Sequence, residues 1–311
     1  MKRKLFKERK IIMLFENKSK KYLDLLDKSG IFDNPVSAAY PQTVVYNVVK
    51  KHLSEKNAKK KKVLIYGFDG ARADSMFYLI PSKDKNIAGH NLKSLYSAVT
   101  LLKESGGLFL SYAGGEKGKP ETIQETSTAQ GWSAILTGKW GNENGVQKHV
   151  TKKNSAPTIL MECAEDGISA LFASIWEDHF TITYKDEIKT AKEKDLPLEF
   201  KQVADENQLQ SAVLSAVDGG TDIIFAINEF PDYNGHSHGF GPENYRYVTG
   251  ITNADRYAFA LIEHIESRPE FEKEDWLYLI TSDHGGHNRG HGTQQAFDRM
   301  TFIALNKPLL K

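Results

Sequence analysis

Three apolar runs in this chain end beside acidic residues, and histidines stand close to two of them. Val63–Phe68 runs into Asp69-Gly70. Asp222–Asn228 is followed by Asp232 and, four residues on, His236. Trp276–Ser282 runs into Asp283-His284-Gly285, and His291 follows in the glycine-rich stretch Gly290-His291-Gly292. In an open α/β sheet, ligands bind beyond the carboxyl ends of the strands. Read as strands, the three runs bring Asp69, Asp232, His236, Asp283 and His284 to one rim, and the loop of His291 folds back toward it. Carboxylates mixed with imidazoles suit zinc or manganese, whereas carboxylates alone favour magnesium or calcium. Six ligands exceed the needs of one tetrahedral zinc with an open position. They suffice for two metals of three ligands each. Two ions ~4 Å apart hold the attacking and the leaving oxygen of an in-line phosphoryl transfer.

Such chemistry needs a nucleophile. The segment Glu125–Gly138 places Thr126, Ser127 and Thr128 just ahead of an apolar helical run. A hydroxyl there sits at a helix N-terminus, where backbone amides and the helix dipole favour phosphate. A threonine or serine alkoxide held by a metal needs no separate base.

The elements that must position these groups alternate along the chain. Strands are expected at 63–68, 108–110, 168–174, 222–228, 276–282 and 301–305. Between them, helices are expected from Leu92 to Leu102, near 129–137, near 156–165, around Leu209–Val217 and over roughly 243–267. This alternation predicts an α/β fold: a mainly parallel central sheet with helices on both faces. Residues 1–60 differ, being rich in Lys and Leu and free of chemical motifs. Val45, Val48, Val49 and Leu53 share one helical face. The region reads as a helical N-terminal extension packed on a domain of residues 61–311, with Lys59–Lys62 as a solvated boundary.

Composition narrows the classes. The 311 residues are 40% apolar and 26% charged, which excludes a disordered, collagenous or coiled-coil chain. The net charge of +1 gives no support to a nucleic-acid or membrane-surface partner. Cys163 is the only cysteine, so a disulfide within the chain and a cysteine-built metal cluster are both impossible. The apolar run Ile11–Phe15 behind the basic start is too short for a signal peptide, and no stretch nears the ~20 apolar residues of a membrane span. A cytoplasmic location is expected.

The motifs also stand in a known order. Asp69-Gly70 follows the first buried strand. The hydroxyl segment closing on Thr137-Gly138 comes next, then Pro231-Asp232 with His236, then Ser282-Asp283-His284-Gly285, then His291-Gly292. This order resembles the alkaline phosphatase superfamily, and within it the type I phosphodiesterase/nucleotide pyrophosphatase branch, over roughly residues 62–305. The resemblance implies an alkaline-phosphatase-like catalytic domain, here too short for a large cap domain. It assigns one metal to Asp232, His236 and His291, and the other to Asp69, Asp283 and His284. It places the nucleophile at Thr128, nine residues before Thr137, with Ser127 and Thr126 as its competitors.

The implied activity is metal-dependent hydrolysis of a small phosphate ester through a phosphothreonine, with zinc first and manganese second as the ions. A phosphomutase, a phosphotransferase or a non-catalytic metal-binding relative are the alternatives. Gly131 stands where that branch has an asparagine touching the phosphoryl oxygen. Gly131 and Arg72 are the candidate substrate contacts, Arg72 either binding an anion or pairing with a carboxylate. His287 and His238 read as residues beside the ligands rather than ligands. The Cys/Ser-x-Pro-x-Arg pattern of sulfatases is absent from the hydroxyl segment.

Overall fold

A computed structural model describes residues 39–78, 97–116, 118–148 and 152–309. Within them lies one eight-stranded sheet. The strands are β1 (Tyr40–Pro41), β2 (Lys60–Phe68), β3 (Gly107–Tyr112), β4 (Ala170–Ser174), β5 (Leu198–Gln202), β6 (Ile223–Asn228), β7 (Glu274–Thr281) and β8 (Met300–Leu305). Their order across the sheet is β1-β3-β8-β7-β2-β6-β4-β5. All neighbours are parallel except β8, which runs antiparallel to both β3 and β7.

The helices are α1 (Val44–Ser54), α2 (Ala98–Ser105), α3 (Thr128–Thr137), α4 (Gly141–Asn144), α5 (Ile159–Glu165), α6 (Lys185–Glu193), α7 (Glu206–Asp218), α8 (Phe230–His238), α9 (Tyr245–Ser267) and α10 (Ala296–Arg299). The alternation of side chains along β2 sorts them into two layers. Leu64, Tyr66 and Phe68 face a core shared with α2, α7 and α9. Val63 and Ile65 face a core shared with α1, α3, α5 and α6. Local chemistry sets the helix starts. The Asp205 side chain accepts from the Gln208 N–H to cap α7, and Asn244 accepts from Arg246 to cap α9. Pro269 follows α9 closely and cannot continue it.

The described part of residues 1–60 is built into the sheet: Tyr40–Pro41 pair with β3, and α1 shares a core with Trp132, Ile135 and Leu136 of α3. Residues 1–38, and the expected helix over Leu92–Tyr96, lie outside the described residues. The solvated reading of Lys59–Lys62 is corrected at one position: β2 begins at Lys60, Lys59 and Lys60 are exposed, and Lys62 is buried. Its ammonium lies 2.8 Å from Asp222 Oδ1 and donates to the carbonyls of Gly220 and Thr221. β5, α6 and α8 were not expected from the sequence. Among the described residues no helix is long and apolar enough to cross a membrane.

Candidate functional site

β7, β2 and β6 are adjacent and parallel, so their carboxyl ends open on one rim. Asp69 follows β2, Asp283 and His284 follow β7, and Asp232 and His236 lie one turn apart on α8, just beyond β6. Pro231 occupies the first turn of α8, where a missing N–H costs nothing. Gly70 has φ +65, and a Cβ there would stand 2.6 Å from Asp232 Oδ1. Only glycine lets the β2 turn come this close to α8. That turn is fastened further. Tyr247 of α9 donates to Gly70 O at 2.6 Å and accepts from the Arg72 N–H, while Ser282 Oγ accepts from the Ala71 N–H.

Two groups result: Asp232, His236 and His291, and beside them Asp69, Asp283 and His284. Within each, one ligand atom per residue lies within 4.8 Å of the others. The rings of His284 and His291 stack at 3.9 Å between centroids, so the groups adjoin. Both sets match the division that the motif resemblance implied.

The donor set fits divalent cations on two observations. First, each imidazole turns Nδ1 to a main-chain carbonyl: His236 to Arg289 O (2.9 Å), His284 to Gly285 O (2.7 Å) and His291 to Thr126 O (3.1 Å). A carbonyl only accepts, so Nδ1 carries the hydrogen and every Nε2 lone pair faces the cluster. His236 Nε2 and His291 Nε2 then face each other at 3.1 Å. His284 Nε2 faces Asp283 Oδ2 at 3.3 Å and Asp69 Oδ1 at 3.4 Å. Only a cation or an added proton relieves such contacts. Second, Asp69 Oδ1, Asp232 Oδ1 and Asp283 Oδ2 are buried without a hydrogen-bond partner. The other oxygens of Asp69 and Asp283 accept from Trp132 Nε1 (2.9 Å) and Gly70 N (3.1 Å). These contacts orient the carboxylates and leave one oxygen of each free.

Without metal, protons fill the place. Burial disfavours charge on His284, yet Asp283, Asp69 and Asp232 push it up to about 10. Burial, helped by the charge on His284, holds His291 down at about 3. Burial raises Asp69 and Asp283, each also raised by a neighbouring carboxylate. Asp232 is lowered despite its burial, chiefly by His236.

Thr128 is the first residue of α3, and the Ser127 side chain does not cap that helix. Thr128 Oγ1 lies 3.4 Å from His284 Nε2 and lines a cavity of about 720 Å³ together with Ser127, Asp69, Asp232, His236 and His291. Thr126, by contrast, is buried with its hydroxyl donating to Thr293 O at 2.7 Å.

Neither candidate substrate contact lines the cavity. Arg72 is buried, forked onto both oxygens of Asp74 and bonded to Gly286 O. Of its two readings, the structure supports the carboxylate pair. Gly131 is buried against the end of β7: a Cβ would stand 2.5 Å from Asp283 O and 2.6 Å from Asp283 Cβ. An asparagine cannot fit there. His287 bonds to Asp298, and His238 lies against Arg246.

The sequence reading did not single out five other residues that line the cavity: Glu125, Gln130, Lys152, Trp176 and Glu229. Trp176 stands just past the carboxyl end of β4, so the strand-end rule applied to β4 would have found it. Lys152 pairs with Asp178 at 2.6 Å and lies 5.0 Å from the Trp176 ring centre. Burial, with Asp69 nearby, pushes Glu229 up to about 8.

No family model matches this chain. No curated protein matches it either. Solved structures do. A 2-O GAG sulfatase is 12% identical over 80% of this chain, with a TM-score of 0.48. Murine ectonucleotide pyrophosphatase/phosphodiesterase 5 is 16% identical over 72% of this chain, with a TM-score of 0.48. Alkaline phosphatase from the Antarctic bacterium TAB5 is 14% identical over 80% of this chain and 92% of its own length, with a TM-score of 0.49. All three are members of the alkaline phosphatase superfamily, the family that the motif order resembles. The chain spans 64% of the length of the sulfatase and 57% of the murine protein. At these values the likeness carries no activity across.

Proposed function

We propose that this chain is a metal-dependent hydrolase of small phosphoric esters, with Thr128 as its nucleophile. The observation that carries the reading is the Thr128 hydroxyl, set at an uncapped helix N-terminus, in a cavity, against two adjoining three-residue ligand groups. Asp232, His236 and His291 would hold one divalent ion and Asp69, Asp283 and His284 the other, zinc first and manganese second. Such ions supply positive charge that polarises a phosphoryl group and favours the ionised form of a nearby hydroxyl.

The chain does the rest. The first N–H groups of α3 and its dipole hold the phosphoryl oxygens over Thr128. Thr128 Oγ1 bonds to phosphorus and its proton passes to solvent. The P–O bond to the leaving group breaks, and the leaving oxygen departs with the electron pair and takes up a proton. Water then attacks the phosphothreonine and frees Thr128 and phosphate. Trp132 and Gly70 fix the two carboxylates, so that little reorganisation accompanies the reaction.

The test compares initial rates on a p-nitrophenyl phosphomonoester and the corresponding bis-diester after loading with zinc or manganese. Turnover of either one, lost in Thr128→Ala while metal binding persists, is the expected result. Full activity in Thr128→Ala overturns the nucleophile. Absence of turnover on both esters with two metals bound overturns the hydrolase reading.

A further inference from the structure

Five of the six ligands stand on a helix or within three residues of a strand end. His291 does not. It lies in an irregular stretch between β7 and α10, and something outside regular backbone pairing must fix it. We propose that Asp298 is the positioning residue for His291; this rests on the two-metal reading above. Asp298 is fully buried at the rim end of β8, on α10. Its Oδ1 takes His287 Nδ1 at 2.6 Å. Its Oδ2 accepts from the Thr293 N–H (2.9 Å) and the Thr293 hydroxyl (2.7 Å). One carboxylate therefore ties the chain four residues before His291 and two residues after it.

Between the ties, His287 and Gly290 exchange both main-chain hydrogen bonds and close a tight turn. Asp298 is itself anchored, since its N–H donates to Gln295 O and its carbonyl accepts from the Gly285 N–H, next to His284. The clamp also reaches the hydroxyl segment. Thr293 O accepts from Thr126 Oγ1, and Thr126 O accepts from His291 Nδ1. That last bond fixes the His291 tautomer and leaves Nε2 toward Asp232 and His236.

An aspartate is needed for a stated reason. Three donors converge on its two oxygens from opposite sides. Asparagine keeps one acceptor oxygen for Thr293 and turns its N–H₂ to His287 Nδ1, which can accept only by moving its own hydrogen to Nε2, and the charge-assisted bond is lost.

The test uses metal binding rather than activity. Cobalt or zinc is titrated into metal-free full-length protein by calorimetry, with cobalt absorption bands reporting each site. His291→Ala identifies which of the two binding events belongs to Asp232, His236 and His291. Asp298→Asn is expected to weaken that event about 10–100-fold and leave the other unchanged, with excess metal restoring turnover. His287→Ala cuts one tie and Thr293→Val removes the hydroxyl half of the other, its N–H bond remaining, so each should weaken the same event by less; they keep the test alive if Asp298→Asn does not fold. Unchanged affinities in all three variants overturn the clamp. Equal weakening of both events together with a lowered melting temperature also overturns it, because the role is then structural only. Two intact metal events in wild type without ester turnover would sink the hydrolase reading and leave the clamp standing.

Discussion

Gly131→Ala should destabilise this protein although it replaces a glycine in a helix interior. On an open helix the change gains about 0.8–1.0 kcal/mol in propensity. Here the new Cβ would lie 2.6 Å from Asp283 Cβ and 2.5 Å from Asp283 O. Carbon atoms in contact sit ~3.5–4.0 Å apart, so α3 or the end of β7 must retreat by about 1 Å. The obstacle is main chain at the end of a central strand, not the tip of a flexible side chain. Overpacking of this kind costs about 1–3 kcal/mol, and the upper half of that range applies to so rigid a neighbour. Net of the propensity gain, about 1–2 kcal/mol of stability is lost, or about 2–3 °C in melting temperature for a chain of this length. The displacement falls on a candidate metal ligand. Metal affinity of the group Asp69, Asp283 and His284 should therefore drop about tenfold or more, with the other group unaffected. Calorimetric melting and metal titration of the variant measure both effects. A raised melting temperature with unchanged affinity would show that α3 and Asp283 are not in contact as described. An active, stable Gly131→Asn would refute the statement that asparagine cannot fit.

Other expectations follow from the charges. His284 holds a proton up to about 10 without metal, so metal entry at pH 7 must displace it. Calorimetry in buffers of different ionisation enthalpy should find at least one proton released, with apparent affinity rising from pH 6 to 9; no release would contradict the proton's place. Burial pushes Glu206 from its ordinary 4.5 to about 8 in the folded protein. A raised folded pKa stabilises fully below the unfolded value and the effect is lost as pH rises through the folded one, so metal-free protein should lose stability between pH 4.5 and 8. Glu206→Gln should flatten that decline in a series of melts, and an unchanged slope would exclude Glu206 as its source. Lys62→Ala removes the buried partner of Asp222 and the donor to Gly220 O and Thr221 O. Because Lys60 still pairs with Asp222, the loss should be about 2–4 kcal/mol by chemical denaturation, and a neutral result would mean that this cluster contributes nothing.

The rim was legible because each of its three strands holds a continuous apolar stretch, and an acid within four residues of the strand end has few other reasons to be there. α9 was legible from its inward residues Ile251, Ala258, Leu261 and Ile265. α8 was not, since Phe-Pro-Asp-Tyr-Asn-Gly-His-Ser-His carries no apolar period; its packing rests on close approaches, Gly235 to the Phe240 ring and Gly250 of α9 to Phe230 O, that no local period announces. β5, with Leu198 buried and its other side chains mostly outward, lies at the sheet edge and lacks the continuous apolar signature of the central strands. The solvated reading of Lys62 failed because four lysines in a row look alike, whereas strand alternation turns Lys60 and Lys62 toward Asp222 and only the second lies deep enough in β2 to be buried. The lining residues Lys152 and Glu125 come from irregular chain, where position depends on distant contacts that no local pattern encodes.

The sheet order has a consequence for assembly in time. β7 and β8 come last in this sequence, yet they occupy the middle of the sheet, between β3 and β2. Gly70 and Asp283, hydrogen-bonded to each other, stand 213 residues apart. Pairings of such sequence separation close late and slowly. A chain emerging from synthesis holds Asp69 and Thr128 long before it holds Asp283, His284 or His291, so neither three-residue group exists until the final strands insert. Metal can then act as a latch on the finished fold, but not as a seed for it.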